Sequence, residues 1–378
     1  MSYAVHLNGV STPSLILDEK IMLANIDRLD RRMSGLNVSL RPHLKTVKSV
    51  DVAKRVLKNA TGATVSTLRE AEVFAAAGIE DILYCVGISP QKLPRVLALR
   101  TKGCDLTLVL DSVAQAHAVA EASRDAGDAI PVLIEIDCDG HRSGLHPRNP
   151  ALVEIGRILV QGGAELRGVV THAGESYGAV GEDNLAAFAE QERQAVVTAA
   201  AALTEAGLPC AVVSVGSSPT AHFARHLTGV TEVRAGVYVF FDLVMAGIGV
   251  CTVQDIALSV LTTVIGHQKE RGWIMVDAGW MAMSRDRGTA TQAVDQGYGV
   301  VCDIEGRVID GLIVTGANQE HGIIAARPGS AVAVPDLPVG SMLRILPNHA
   351  CATAAQFNGY QVLTCGGGLE HWPRFNGW

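Results

Sequence analysis

Two short stretches carry residue types whose spacing suits catalysis. The first is Arg41-Pro42-His43-Leu44-Lys45-Thr46-Val47-Lys48, where a lysine follows a strand-like alternation at 38–40 and precedes a helical pattern at 50–57. At the carboxyl end of a parallel strand, a lysine amine can be desolvated, its pKa lowered and a Schiff base formed with a carbonyl cofactor. The octapeptide by itself reads equally as a basic loop with two solvated lysines. The second stretch is Asn348-His349-Ala350-Cys351. If it is extended, His349 and Cys351 point the same way and offer zinc an imidazole and a thiolate. A buried cysteine beside a turn histidine accounts for such an isolated pair as well. No Cys-x-x-Cys or His-x-x-x-His elsewhere completes a closed structural site. A metal held here would therefore keep open positions for water or substrate, as catalytic sites do.

Three further stretches fall where strands should end. Val213-Ser214-Val215-Gly216-Ser217-Ser218-Pro219-Thr220 is a strand running into a glycine-serine turn. Its Ser217 and Ser218 could present hydroxyls and backbone N–H groups to a phosphate, or serve as an ordinary helix N-cap. Arg142 sits in the loop Asp137-Cys138-Asp139-Gly140-His141-Arg142-Ser143-Gly144, where a solvated arginine is the alternative. Thr171-His172-Ala173-Gly174-Glu175-Ser176-Tyr177 offers an imidazole and a phenol.

These residues need a frame, and the hydrophobic pattern describes one. Strand-like runs at 38–43, 63–66, 82–85, 106–110, 132–137, 168–172, 211–215 and 232–236 alternate with amphipathic segments at 68–77, 114–126, 153–160 and 185–206. A helix with Ile21, Ile26, Leu29 and Met33 at its spacing follows an extended segment at 12–18. Eight alternations predict an α/β fold, a (β/α)8 TIM-like barrel in preference to an open doubly wound sheet. After about residue 250 the texture changes to β-branched runs at 256–265, 273–277, 299–302, 312–315, 331–334, 341–346 and 361–364, separated by Gly, Asp and Pro. These predict a second, antiparallel β domain. The expected division is a barrel over 12–248 and a β domain made from 1–11 and 249–378.

Composition excludes several classes. The chain has 378 residues, 48% of them hydrophobic, and a net charge of -7 without a basic block. Disorder, nucleic-acid binding and attraction to an anionic membrane are therefore not expected. No run approaches the roughly 20 apolar residues of a membrane span. The opening residues lack a basic region followed by an apolar core, so a cytoplasmic location is expected. The eight cysteines are scattered and read as reduced thiols.

The lysine stretch resembles the pyridoxal-phosphate motif Arg-Pro-His-x-Lys-Thr-His-Lys of the D-threonine aldolase and D-serine dehydratase family, which shares the fold of alanine racemase. The resemblance covers nearly the whole chain and departs at Val47, where the family commonly has histidine. It implies that Lys45 carries pyridoxal 5'-phosphate, that Arg142 lies near the cofactor's phenolic oxygen, and that Arg234 approaches the pyridine nitrogen. It also implies that Tyr177 contacts the cofactor, with His172 packing on the ring or filling the barrel rim. Gly236 and Val237 would give backbone donors to the phosphate, with Tyr238 close by. Only the backbone role is carried over at Val237, where the family's usual residue is asparagine. Asp277-Ala278-Gly279 and Asn318-Gln319-Glu320-His321-Gly322 resemble segments at the edge of the family's active site. The β domain would take up a first strand at about 3–7, and the family forms head-to-tail homodimers with shared active sites.

Pro347-Asn348-His349-Ala350-Cys351 is similar to the zinc signature of the dehydratase branch. The aldolases more often place aspartate at the cysteine and use harder ions such as Mn2+ or Mg2+. The resemblance thus implies a pyridoxal-phosphate- and zinc-dependent dehydratase that converts a 3-hydroxy-D-amino acid (D-serine, D-threonine or 3-hydroxy-D-aspartate) to a 2-oxo acid and ammonia. The alternatives are a metal-dependent aldolase giving glycine and an aldehyde, and a non-catalytic pyridoxal-phosphate carrier. A carrier would need neither a second domain nor the His-x-Cys pair.

Overall fold

The structure, a computed structural model, describes residues 3–378. The first two residues of the segment expected at 1–11 lie outside the described residues. The chain divides into two compact units: Arg28–Gly236, with which Gly377 and Trp378 are grouped, and the residues up to Asp27 together with Val237–Asn376.

The expected boundaries at 12 and 248 move for a hydrogen-bonding reason. Ser14–Asp18 (β1) is not a leading segment of the barrel. It pairs antiparallel with Leu258–Gln268 and parallel with Gly359–Leu363, so it belongs to the β unit. At the other boundary, Val244 donates to Asn348 O at 3.2 Å and Ala257 to Phe240 O at 2.8 Å, tying the segment after Gly236 to the same unit.

The first unit holds eight parallel strands: β2 (Ser39–Leu40), β3 (Ala63–Val65), β4 (Asp81–Gly87), β5 (Asp105–Leu110), β6 (Pro131–Ile136), β7 (Glu165–Thr171), β8 (Val212–Val215) and β9 (Glu232–Val233). Their order is β2-β9-β8-β7-β6-β5-β4-β3. The sheet curls until the chain just past β2 meets β3, through a parallel bridge from His43 to Thr64 and a 2.8 Å bond from Leu44 N to Thr64 O. This is the expected TIM-like barrel.

The strands form because they are apolar on both faces. All six residues of β6 are buried, as a parallel strand covered by helices requires. The helices carry their own start and stop signals. In Val113–Ala126, the Ser112 hydroxyl accepts from Gln115 N, Gly127 ends the helix at φ 61°, and Ala116, Val119, Ala120 and Ser123 form the buried stripe. Inside the barrel, Leu83, Val109, Leu133 and Val170 form an apolar cluster.

The second unit is a nine-stranded sheet that includes β10 (Leu258–Gln268), β11 (Trp273–Val276), β12 (Gly299–Cys302), β13 (Val308–Ala317), β14 (Gly322–Ala326), β15 (Met342–Pro347), β16 (Gly359–Leu363) and β17 (Leu369–Pro373). Its order is β11-β14-β13-β12-β15-β10-β1-β16-β17, and β10 pairs also with β11. Six strands therefore close into an antiparallel ring, and β1, β16 and β17 extend it from β10.

Three expectations fail here. Tyr3–Leu7 is a helix, and the place beside β10 belongs to β1; Leu7 packs against Ile16, Leu261 and Leu363. The run 331–334 joins no ladder, lying among Pro328, Pro335 and Pro338, which lack N–H donors. Strands β14 and β17 were not expected. Among the described residues, no helix is long and apolar enough to cross a membrane. All eight cysteines are free thiols.

Candidate active site

In the barrel unit, β2 runs into a turn in which Leu44, Thr46 and Val47 are fully buried while Lys45 stands exposed at the tip. Val47 is apolar because it is an anchor of this turn. The two lysines differ sharply. Lys48, at φ 41°, places its ammonium 3.3 Å from the Glu70 carboxylate, whose side chain is fully buried and also accepts from Ser66 N at 3.0 Å. The Lys45 amine makes no hydrogen bond or ion pair among the described residues.

Around Lys45 the barrel gathers positive charge. Burial, and then the fields of Lys45, Arg234, His172 and Arg142, push the His43 imidazole well below its usual range. Burial followed by Arg142 and Lys45 does the same to His172. Burial first, and then the surrounding positive charge, thus keeps two imidazoles neutral, a setting that suits an anionic ligand. His172 Nδ1 donates to the Gly216 carbonyl; because the ring is neutral, Nε2 carries the lone pair. Its ring centroid lies 6.1 Å from that of Tyr177.

Arg142 is partly exposed and 4.0 Å from Glu135, whose carboxyl burial pushes up. Arg234 is buried and donates to Ser214 Oγ at 2.9 Å, to Cys85 Sγ at 3.4 Å and to Thr171 O. Two of its five N–H groups are left over among the described residues.

The turn after β8 shows Ser217 acting as a helix cap: its hydroxyl accepts from Thr220 N at 3.1 Å and lies 3.0 Å from Ser176 Oγ. Ser218 is fully buried beside it. Gly236 sits where a Cβ would lie 2.9 Å from His43 O and 3.2 Å from Thr46 Oγ1, so only glycine lets the end of β9 approach the lysine turn. Val237 and Tyr238, next in the chain, are buried in a turn grouped with the β unit.

Sequence reasoning missed Glu192. Its buried Oε1 accepts from Ala173 N at 2.9 Å and Gly216 N at 3.0 Å, joining the loops that carry His172 and Ser217. Its signal was a lone acid on the apolar stripe of Leu185, Ala189, Val196, Ala199 and Leu203.

In the β unit, 348–351 is not extended. His349 is the N-cap of Ala350–Ala354, so the argument from strand alternation does not hold. The two side chains meet all the same, because a helix start folds position 351 back toward its cap. Burial alone would lower the His349 pKa, but bonds to Asp286 and to Cys351 raise it to about 11.

Asp286, also missed, holds His349 Nδ1 at 2.6 Å. It lies 63 residues earlier in the chain, with no local signal. Asp242 fixes the turn by accepting from Ala350 N at 2.9 Å, and Asn348 Nδ2 donates to Gly297 O at 2.6 Å. With Nδ1 committed to a carboxylate, the arrangement usual for a ligating histidine, the imidazole and thiol that bond each other here are the pair that could turn to a metal. No group of three His, Cys, Asp or Glu side chains gathers into a metal site among the described residues. An ion held by this pair would take further ligands from water or substrate.

Residues 17–244 match the family described as alanine racemase, N-terminal domain, and 257–363 match a putative serine dehydratase domain. The chain is 58% identical to D-threo-3-hydroxyaspartate dehydratase of Delftia sp. (strain HT23), covering 98% of both chains. It is 31% identical to D-serine dehydratase of Schizosaccharomyces pombe (strain 972 / ATCC 24843), over 98% of this chain and 93% of that one. The solved structure of the Delftia sp. HT23 dehydratase superposes with a TM-score of 0.97 at 57% identity, covering 99% of this chain and all of that one. A cysteine-to-alanine variant of D-threo-3-hydroxyaspartate dehydratase has been solved in a metal-free form.

Proposed function

Because the chain belongs to the alanine racemase N-terminal-domain family, with a serine dehydratase domain following, we propose that it is a pyridoxal-phosphate- and zinc-dependent dehydratase of 3-hydroxy-D-amino acids. D-threo-3-hydroxyaspartate is the foremost substrate, since the relative at 58% identity is the dehydratase of that compound. The products are a 2-oxo acid and ammonia. The observation that carries the reading is the uncommitted Lys45 amine in the turn after β2, beside Arg142, Arg234 and two imidazoles that burial, reinforced by these positive charges, keeps neutral.

The residues present fit the cofactor. Arg142 suits its phenolate and Arg234 its ring nitrogen, Gly236 leaves room for close backbone approach, and the Lys45 amine is uncommitted and could hold a carbonyl carbon. When bound, pyridoxal phosphate supplies an electron sink at the α-carbon, and a divalent ion supplies a Lewis acid for the departing β-hydroxyl.

The chain's own groups do the rest. Lys45 Nζ would be the base placed to take the α-proton. Arg234 would face the ring nitrogen and, being permanently charged, would disfavour a proton there. Arg142 lies near the phenolic oxygen. His172, fixed through Gly216, and Tyr177 bear on the cofactor ring. Ser217, Ser218 and Gly236 would hold the phosphate end from the barrel unit, and the backbone of Val237, with Tyr238 close by, is the further donor that the family resemblance implies. His349 and Cys351 would hold the ion, with Asp286 orienting the imidazole.

We place the enzyme in a reducing, cytoplasmic setting, which eight free thiols favour, and as a homodimer with shared sites. A fully active monomer in light scattering at assay dilution would refute the dimer. The activity is tested by incubating the protein with D-serine, D-threonine and both diastereomers of 3-hydroxy-D-aspartate. A 2-oxo acid is expected; glycine with an aldehyde would overturn the assignment.

A further inference from the structure

The barrel interior is not apolar throughout. Glu232 on β9 and Arg234 just past its end, two apart in extended chain, share a face, and Ser214 of β8 lies opposite Glu232. From Arg234 a continuous chain of hydrogen bonds descends through them. Arg234 Nε donates to Ser214 Oγ at 2.9 Å, and Ser214 Oγ donates to Glu232 Oε1 at 2.7 Å. Glu232 Oε2 accepts from Arg41 Nε at 2.7 Å, and the Arg41 guanidinium grips both oxygens of Asp81 at 2.7 and 3.0 Å. Ser214 is fully buried, Arg234 nearly so, and the Asp81 side chain is 40% exposed. Asp81 opens β4 and Thr171, to which Arg234 also donates, closes β7. The ladder therefore runs from the amino-terminal mouth of the barrel to its carboxyl-terminal mouth.

Burying two arginines and a glutamate where Leu83, Val109, Leu133 and Val170 show that an apolar filling is possible is not the stabilising choice. The order of the partners suggests what it gains. Every atom that touches Arg234 is a neutral acceptor: a hydroxyl, a carbonyl and the Cys85 thiol, which burial keeps protonated. The balancing carboxylate of Glu232 is one hydroxyl removed, and is itself held by Arg41. The other acids near Arg234, Glu135 and Glu192, are pushed toward the protonated form by burial. His43, Lys45, Arg142 and His172 complete the charged or titratable groups around it, and none is an anion. A direct Arg234–carboxylate pair would fix the guanidinium equally well but would cancel its field toward the ligand.

We propose that Ser214 and Glu232, braced by Arg41 and Asp81, are positioning residues that hold Arg234 in one orientation while leaving its charge undamped toward the pyridine nitrogen of the cofactor. This rests on the reading of the barrel site given above. Its test uses the full-length apoprotein of the wild type, Ser214→Ala and Ser214→Thr, titrated with pyridoxal phosphate labelled with nitrogen-15 in the ring. The readouts are the dissociation constant and the ring nitrogen's chemical shift.

In Ser214→Ala nothing separates Glu232 from Arg234. The dissociation constant should rise roughly tenfold, the scale of one charged hydrogen bond, and the nitrogen signal should move toward the protonated value. Ser214→Thr, which keeps the hydroxyl, should restore both. Wild-type protein that binds no cofactor would overturn the reading of the site and this proposal with it. Wild-type binding with an unshifted nitrogen signal in Ser214→Ala, whatever its thermal midpoint, would overturn the proposal alone.

Discussion

Replacing Asp286 by asparagine tests whether the His349–Cys351 pair is a metal site. The carboxylate lies 2.6 Å from His349 Nδ1, with side chains 34% and 41% exposed, and its partner oxygen accepts from Gly288 N at 2.9 Å. Asparagine keeps the shape and can still offer an oxygen to Nδ1–H. What disappears is the negative charge that makes Nε2 a better donor. Loss of such a partner weakens metal binding by about 10- to 100-fold, or about 1.4–2.7 kcal/mol. With both side chains more than a third exposed, water replaces part of the lost field, so the lower end applies: about tenfold for Asp286→Asn, and more for Asp286→Ala, which also frees the ring to rotate. Competition against a chromogenic chelator measures the zinc affinity of each variant, with the thermal midpoint of the metal-free proteins as the control for folding. A zinc affinity within twofold of wild type in both variants would refute the reasoning, because the imidazole would then not depend on this partner to bind metal.

The two lysines of the motif should separate cleanly: Lys45→Ala should lose the visible absorption of bound cofactor, whereas Lys48→Met should keep it. The latter should cost about 3 kcal/mol in urea unfolding, because the buried Glu70 carboxylate loses its cation and keeps only its bonds from Ser66 N and the Thr67 hydroxyl; a colourless Lys48→Met would reverse their roles. Chelator treatment should abolish turnover while leaving the cofactor bound, with zinc restoring wild type but not Cys351→Ala; full chelator resistance with no metal by elemental analysis would remove the ion from the mechanism. The Arg193 hydrogen bond lowers Glu190 from 4.5 to about 2. Its stabilisation is therefore present in full above pH 4.5 and lost as the pH falls toward 2. Urea midpoints measured down that range should fall more steeply for wild type than for Glu190→Gln.

Barrel strands such as 106–110 and 132–137 were legible because a parallel strand covered on both faces is an unbroken apolar run, and the helices between them carry caps. The β unit was harder. The Ser14–Asp18 run looks the same whether its partners are neighbours or lie at the far end of the chain, and local pattern holds no information on that distance. The run 331–334 has strand-forming residues but is hemmed by prolines. At the site, Lys45, His349 and Cys351 stand out because their residue types are chemically specific. Glu192 and Asp286 do not, because each acts by holding another residue through a contact made only after folding. The loop arginine and the glycine-serine turn were ambiguous by motif, and in the turn the capping role of Ser217 is visible in its bond from Thr220.

The placement of β1 bears on how the chain is made. Leu15 pairs with Val260, and Ile16 with Gln361, so a strand that leaves the ribosome before the barrel has no first partner until the whole barrel has followed, and no second until nearly the whole chain has. The eight barrel strands all lie between these points and can assemble while β1 waits. At 5–20 residues per second the delay before β10 emerges is about 12–50 s, during which four buried apolar or acidic positions of β1 and both its edges are unpaired. Nascent chains of this protein thus carry an exposed sticky strand for longer than the barrel takes to be synthesised. The sequence order that places β1 between β10 and β16 in the finished sheet makes this strand the natural point of contact for a chaperone during translation.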